Sequence, residues 1–150
     1  AGVPQREVTW QNVYKVMQDL NNTRLKKQHY DAATVVLGMH DLYLKSEKSE
    51  SGDKINVPAF LAALYQGIKP GGVVGIVEHE AKQGMDPMES AELHRTDSEH
   101  LIKIMTQAGF KLEAQASFLR NNSDDYSKVV WEKGLRRHTD RAVLRFRKPV

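Results

Sequence analysis

Two pairs of titratable residues stand directly after short apolar runs. His40-Asp41 follows residues 33–38 and Glu78-His79 follows residues 73–77. A carboxylate beside an imidazole could take a proton from a substrate, hold a substrate amine or position a metal ion. On that ground Glu78 and His79 are the candidate catalytic residues. The plainer reading is a charged strand end that meets water. Asp41 suits a helix cap or a surface role better, and Glu80 is expected to face away from its neighbours. His40, His79 and His94 match no recognised ligand spacing, so no metal site is assigned. The segment RNNSDDYSKVVWEKGLRRHTD, residues 120–140, brings Asn121, Asp124, Asp125, Tyr126 and Trp131. Loops of that length often act as lids or binding surfaces, though Trp131 could equally plug the loop onto the core. No nucleophile elbow or phosphate-cradling glycine loop is present, and Pro70-Gly71-Gly72 reads as a turn.

These residues need a scaffold, and the hydrophobic pattern supplies one. Trp10, Val13, Tyr14, Met17 and Leu20 recur at helical spacing and predict an amphipathic helix over 10–28. Residues 32–38, AATVVLG, form a short β-branched run of the kind buried in parallel sheets covered on both faces. Residues 45–53 are a polar loop. Asn56 and Pro58 mark a helix start, with Phe60, Leu61, Leu64 and Tyr65 as its apolar face. Lys69-Pro70-Gly71-Gly72 stops that helix and turns into a second strand over 73–77. Thr96-Asp97-Ser98-Glu99 is a capping box with Thr96 as cap, and Leu101, Ile102, Met105 and Ala108 give the following helix its buried stripe. A third strand opens at Phe110, and the alternation of Ala142, Leu144 and Phe146 with Val143, Arg145 and Arg147 predicts a last one. Strands alternating with helices argue a doubly wound α/β sheet, in which ligands sit beyond the carboxyl ends of the strands. Both titratable pairs then face one crevice.

Composition narrows the class. The 150 residues carry a net charge of +3 and no cysteine, so disulfides, thiolate metal sites and cysteine nucleophiles are excluded. No apolar run is long enough to span a membrane, and the compartment, periplasm or cytoplasm, stays open. The last residues hold Arg136, Arg137, Arg141, Arg145, Arg147 and Lys148 against Asp140. That cluster reads as the wet face of an edge strand rather than a nucleic-acid footprint.

ATVVLGMH after Asp31, then IKPGG, VVGIVEH, HRTDSEHLIKIMTQAGFKLEA and DRAVLRFRKP, in that order, resemble the carboxyl-terminal half of a class I S-adenosylmethionine-dependent methyltransferase. VEHEAKQG, AGFKLEA and TDRAVLRFRKP are similar to a bacterial group of predicted methyltransferases, often made with a signal peptide. The resemblance implies a partial Rossmann-like sheet: residues 33–38, 73–77, 110–118 and 142–146 as strands four to seven, the last antiparallel. It implies one domain over 1–150, with 1–30 as a helical lead-in and 120–141 as a long loop. Gly38, Met39 and His40 would touch the cofactor, S-adenosylmethionine. His94, Arg95, Asn121 and Tyr126 would meet substrate, with Arg95 facing an anionic group or tying down the loop; the plainer reading of His94-Arg95 is a solvated loop before a helix. The family's Gly-rich first turn is missing, so cofactor binding would need completion by missing strands or a partner chain. Without strand one, 33–38 becomes an apolar edge that predicts a homo-oligomer or a partner chain. The alternative is a catalytically inactive remnant kept as a structural or interaction subunit.

Overall fold

The computed structural model describes residues 13–44 and 54–150. Its frame is a four-stranded sheet of β1 (Tyr30–Val36), β2 (Ile68–His79), β3 (Lys111–Ala116) and β4 (Arg141–Arg147), in the order β1-β2-β4-β3. β1 and β2 are parallel, whereas β4 runs antiparallel to both β2 and β3. Helix α1 (Val57–Gly67) makes the crossover between the parallel strands, and α2 (Pro87–Glu92) and α3 (Ser98–Gln107) link β2 to β3.

Local chemistry explains the boundaries. Asn56 caps α1 by accepting from the Ala59 N–H, with Pro58 in the first turn. The strand follows with no connecting turn, because Ile68 already pairs with Tyr30. The expected turn at 69–72 is instead a bulge within β2: the register jumps from Tyr30↔Ile68 to Ala32↔Val73. Glycine is required there. Gly71 sits at φ +77, and a Cβ on Gly72 would meet Ile68 at 2.7 Å and the Asp31 carbonyl at 2.8 Å.

One face of the sheet carries the core. Val74, Ile76, Ala142, Leu144 and Phe146 point to Leu61 and Leu64 of α1, Leu101 and Met105 of α3, and Phe110, all buried. The opposite face is bare among the described residues. A shallow trough of about 380 Å³ crosses all four strands, lined by small side chains including Ala32, Thr34, Val73, Gly75, Val77 and Val143. The expectation that β1 is covered on both faces is therefore corrected: Ala32, Thr34 and Val36 are exposed while Ala33 and Val35 are half-buried.

Three further expectations change. Residues 13–28 are not a helix; they hold one 3₁₀ turn at Leu20–Asn22, initiated by Asp19 accepting from Asn21 N–H. Tyr14 and Met17, in the expected apolar stripe, are 83% and 84% exposed. An amphipathic helix is stabilised chiefly by the surface it packs on; Leu20 and Leu25 reach the core from non-helical chain, whereas Tyr14 and Met17 stay exposed among the described residues, and Trp10 lies outside those residues. The Arg-rich last strand is interior, not an edge. Its charges are used locally: Arg145 and Arg147 pair with Glu113, and Lys148 donates to the Tyr65 and Ile68 carbonyls at the end of α1. Finally, α3 is capped by Asp97, which accepts from Glu99 N–H, and not by Thr96. Thr96 is drawn away by pairing beside Glu80, whose carboxylate accepts from Ser98 N–H at 2.7 Å. Helix α2, with Asp86 as cap, had no counterpart in the sequence reading.

Candidate functional site at the ends of the parallel strands

After β1 the chain turns at Leu37, whose N–H reaches the Val77 carbonyl at 2.7 Å, and enters a 3₁₀ turn, His40–Leu42. That turn lies against the end of β2. Glu78, the even-numbered residue there, points to the covered face and is 0% exposed. Its Oε2 accepts from Met39 N–H at 2.6 Å and His40 N–H at 3.2 Å. Its Oε1 accepts from His79 N–H at 2.8 Å and lies 3.1 Å from His40 Nδ1. The carboxylate thus fastens the end of one strand to the end of the other. Burial opposes protonation of His40, but the hydrogen bond and charge of Glu78, with Asp41 beside it, outweigh burial and raise its pKa.

His79, one residue on, points to the opposite side. Its Nδ1 lies 2.7 Å from Thr139 Oγ1. Burial pushes its pKa from the ordinary 6.5 down to about 4, with Arg95 lowering it further and Glu78 opposing. A neutral imidazole of so low a pKa is a poor proton acceptor near pH 7 and a dependable hydrogen-bond partner.

His94 comes to the site from the turn after α2, at φ 55, a left-handed conformation uncommon outside glycine. Its Nδ1 is 3.1 Å from His40 Nε2, and the Trp131 ring packs edge-on against it with centroids 4.3 Å apart. Burial lowers its pKa, and His40 adds to the shift. Asp41 Oδ1 approaches His40 Nε2 at 3.4 Å from a side chain that is 53% exposed. His40, Asp41 and His94 therefore converge, while His79 stays apart.

The other sequence candidates form a separate network that shapes the long loop. Arg95 is 0% exposed. It grips Asp124 with two bonds of 2.9 and 3.0 Å and donates to the carbonyls of Glu80 and Lys128. Burial would raise the Asp124 pKa, but the Arg95 bond and the backbone N–H groups of Asp140 and Tyr126 lower it. Tyr126 donates to Asp140 Oδ2 at 2.9 Å. Asn121 donates to the His138 carbonyl, and its backbone N–H reaches Asp140 Oδ1 at 2.8 Å. Arg120 bridges Glu80 and Asp140. Of the readings open to Arg95, the geometry displays the tie and corrects the solvated loop, since the side chain is buried in these bonds. Glu80, expected to point away, is 5% exposed and joins this network.

Sequence reasoning missed Asp41 as a member of the cluster, Thr139 as the partner of His79, and the contact of Trp131 with His94. Adjacency of His40 and Asp41 was the only local signal; Thr139 lies 60 residues from His79 and Trp131 lies 37 from His94.

Toward the cofactor that the resemblance implies, the fit is partial. Gly38 is half-buried, and a Cβ added there would meet Asp41, Val35 and Val36 at ordinary contact distances of 3.9 Å. Met39 is 1% exposed, and its N–H and that of His40 are already given to Glu78. These residues therefore have no free backbone N–H at Met39 or His40 to offer a cofactor.

No protein-family model and no curated protein matches the sequence. Solved structures do match in fold. An S-adenosylmethionine-dependent methyltransferase from Mesorhizobium loti is similar over 87% of this chain and 67% of its own, at 14% identity and TM-score 0.53. The [4+2]-cyclase SpnF is similar over 90% of this chain and 55% of its own, at 18% identity and TM-score 0.55. A chain of the Haloferax volcanii complex formed with the Trm112 methyltransferase activator is similar over 90% and 60%, at 12% identity and TM-score 0.55. This chain thus spans only 55% of the cyclase and 60% of the archaeal protein. The fold is that of part of a class I methyltransferase sheet.

Proposed function

We propose that this chain works as the distal part of an S-adenosylmethionine-dependent methyltransferase unit, completed by further polypeptide or by a partner chain. The observation that carries the reading is the bare face of the sheet. A parallel pair such as β1–β2 normally has both faces covered, yet Ala32, Thr34, Val36 and Val77 lie on a face that nothing among the described residues packs on. The outer edge of β1 is likewise unpaired among those residues, which suits an added strand.

In such a unit the residues of this chain divide their work. Glu78 positions His40 and the 3₁₀ turn. Gly38 offers a surface against which the cofactor can lie, and the cofactor would supply the methyl group. His79 presents a neutral imidazole at the strand end to orient an acceptor. His94 and Trp131 face the mouth, while Arg95, Asn121 and Tyr126 hold the loop that borders it. Orientation of this kind can account for much of a displacement's rate.

Titration of S-adenosylhomocysteine by calorimetry, alongside the mass of the protein in solution, tests the proposal. Binding by an assembly larger than the 17.0 kDa chain is the expected result. Binding by a monomer of this chain would overturn the need for completion. An assembly that binds nothing would favour the second reading, an inactive structural or interaction subunit. That reading draws on the commitment of both Glu78 oxygens to internal donors, and on the cyclase relative, whose chemistry differs on the same fold.

A further inference from the structure

The geometry points to a divalent-metal site, for Zn²⁺ or a similar first-row cation, made by His40 Nε2, His94 Nδ1 and Asp41. One donor atom from each of these residues lies within 4.8 Å of the others. The two ring nitrogens face each other at 3.1 Å, and His40 Nε2 stands 3.4 Å from Asp41 Oδ1. Two donors each about 2.0–2.1 Å from one tetrahedral zinc stand roughly 3.3 Å apart. Two of the three spacings are therefore those of ligands around a common centre, and the third, between His94 and Asp41, lies within 4.8 Å.

The residue behind the cluster strengthens the inference. A ligating histidine almost always gives its other ring nitrogen to a carboxylate or carbonyl, which fixes the tautomer and aims the lone pair at the metal. His40 does so: Nδ1 lies 3.1 Å from the fully buried Glu78 carboxylate, leaving Nε2 toward His94 and Asp41. His94 is steadied by Trp131 against its ring. Two imidazoles and one carboxylate match zinc sites that keep a fourth position open. Asp41 is the exposed member, so that position faces the solvent side and could take water or an oxygen donor of a substrate. The site stands independently of methyl transfer, since no part of it requires the missing cofactor contacts.

The test uses the metal alone. The protein, stripped with chelator and confirmed folded by circular dichroism, is titrated with Zn²⁺ by calorimetry and with Co²⁺ by visible absorption. One ion per chain and tetrahedral Co²⁺ bands are expected. His94→Ala and Asp41→Asn, both at accessible side chains, should weaken binding about 100-fold or more with the circular dichroism spectrum retained. Glu78→Gln should weaken it about 10- to 100-fold, and His29→Ala, at an exposed histidine outside the cluster, should leave it unchanged. Absence of binding would overturn the site and leave His40 and His94 as a hydrogen-bonded pair. Binding that survives both His94→Ala and Asp41→Asn would also overturn it, as metal held by scattered surface groups.

Discussion

Glu78 holds His40 at two points: Oε2 takes the backbone N–H at 3.2 Å and Oε1 lies 3.1 Å from ring Nδ1. One buried side chain thereby fixes both the path of the chain after β1 and the orientation of the imidazole that faces His94. Removing the carboxylate leaves the Met39 and His40 N–H groups buried without an acceptor. Glu78→Ala is expected to cost about 2–4 kcal/mol, given the penalty for stranding buried donors. Urea unfolding measures this, and a loss below about 1 kcal/mol would show that the clamp is not structural.

The Arg95–Asp124 pair should behave differently from the surface pairs. Both side chains are 0% exposed, and breaking a buried pair from one side typically costs about 3–5 kcal/mol. Asp124→Ala is expected to destabilise on that scale and to open segment 120–140 to protease first. Asp31→Ala, which breaks the exposed Lys69 pair, should shift stability little. Equal effects of the two variants would sink the idea that the loop hangs on Arg95.

His79 sets a pH dependence whose sign is fixed. Its folded pKa, about 4, lies below the ordinary 6.5, so between those values the unfolded chain binds the extra proton. Stability then falls as pH drops from about 6.5 toward 4. His40, whose pKa is raised, acts in the opposite sense, its contribution being lost as pH rises through its folded value. Urea midpoints at pH 7 and pH 4.5, with chelator present, should differ less in His79→Gln than in the unaltered protein. An unchanged difference would assign the acid sensitivity to other groups.

The start of α3 offers a sharper local test. Asp97 accepts from Glu99 N–H at 3.0 Å and from Gly84 N–H at 2.7 Å, whereas Thr96 Oγ1 has no partner among the described residues. Asp97→Ala should cost about 1–2 kcal/mol, the usual value of a cap, and Thr96→Val should cost less. The reverse ranking would restore Thr96 as the cap.

Much of the scaffold was legible in sequence because its determinants are local. The β-branched runs before His40 and Glu78, the Asn56-Pro58 start of α1, and the alternation over 141–147 each encode an element through near neighbours. The resemblance added their order in the chain. Where local pattern and packing disagree, packing decided: 13–28 has helical spacing, yet it anchors by Leu20 and Leu25 while Tyr14 and Met17 stay exposed, and the capping box slipped by one residue because Glu80 claims the first turn of α3. The charged tail looked like an edge until β3 paired outside it.

That an apolar run leads into each of His40-Asp41 and Glu78-His79 is readable along the chain, since a strand and the residues that follow it are written consecutively. The pairing of the two strands and the direction of each side chain are properties of the fold. The two-residue period of a strand sends Glu78 into the covered face and His79 to the other side. The turn after α2 then brings His94, 54 residues from His40, to within 3.1 Å of it. Such a meeting depends on how the crossover, the sheet register and the long loop pack together, and no spacing along the chain records it.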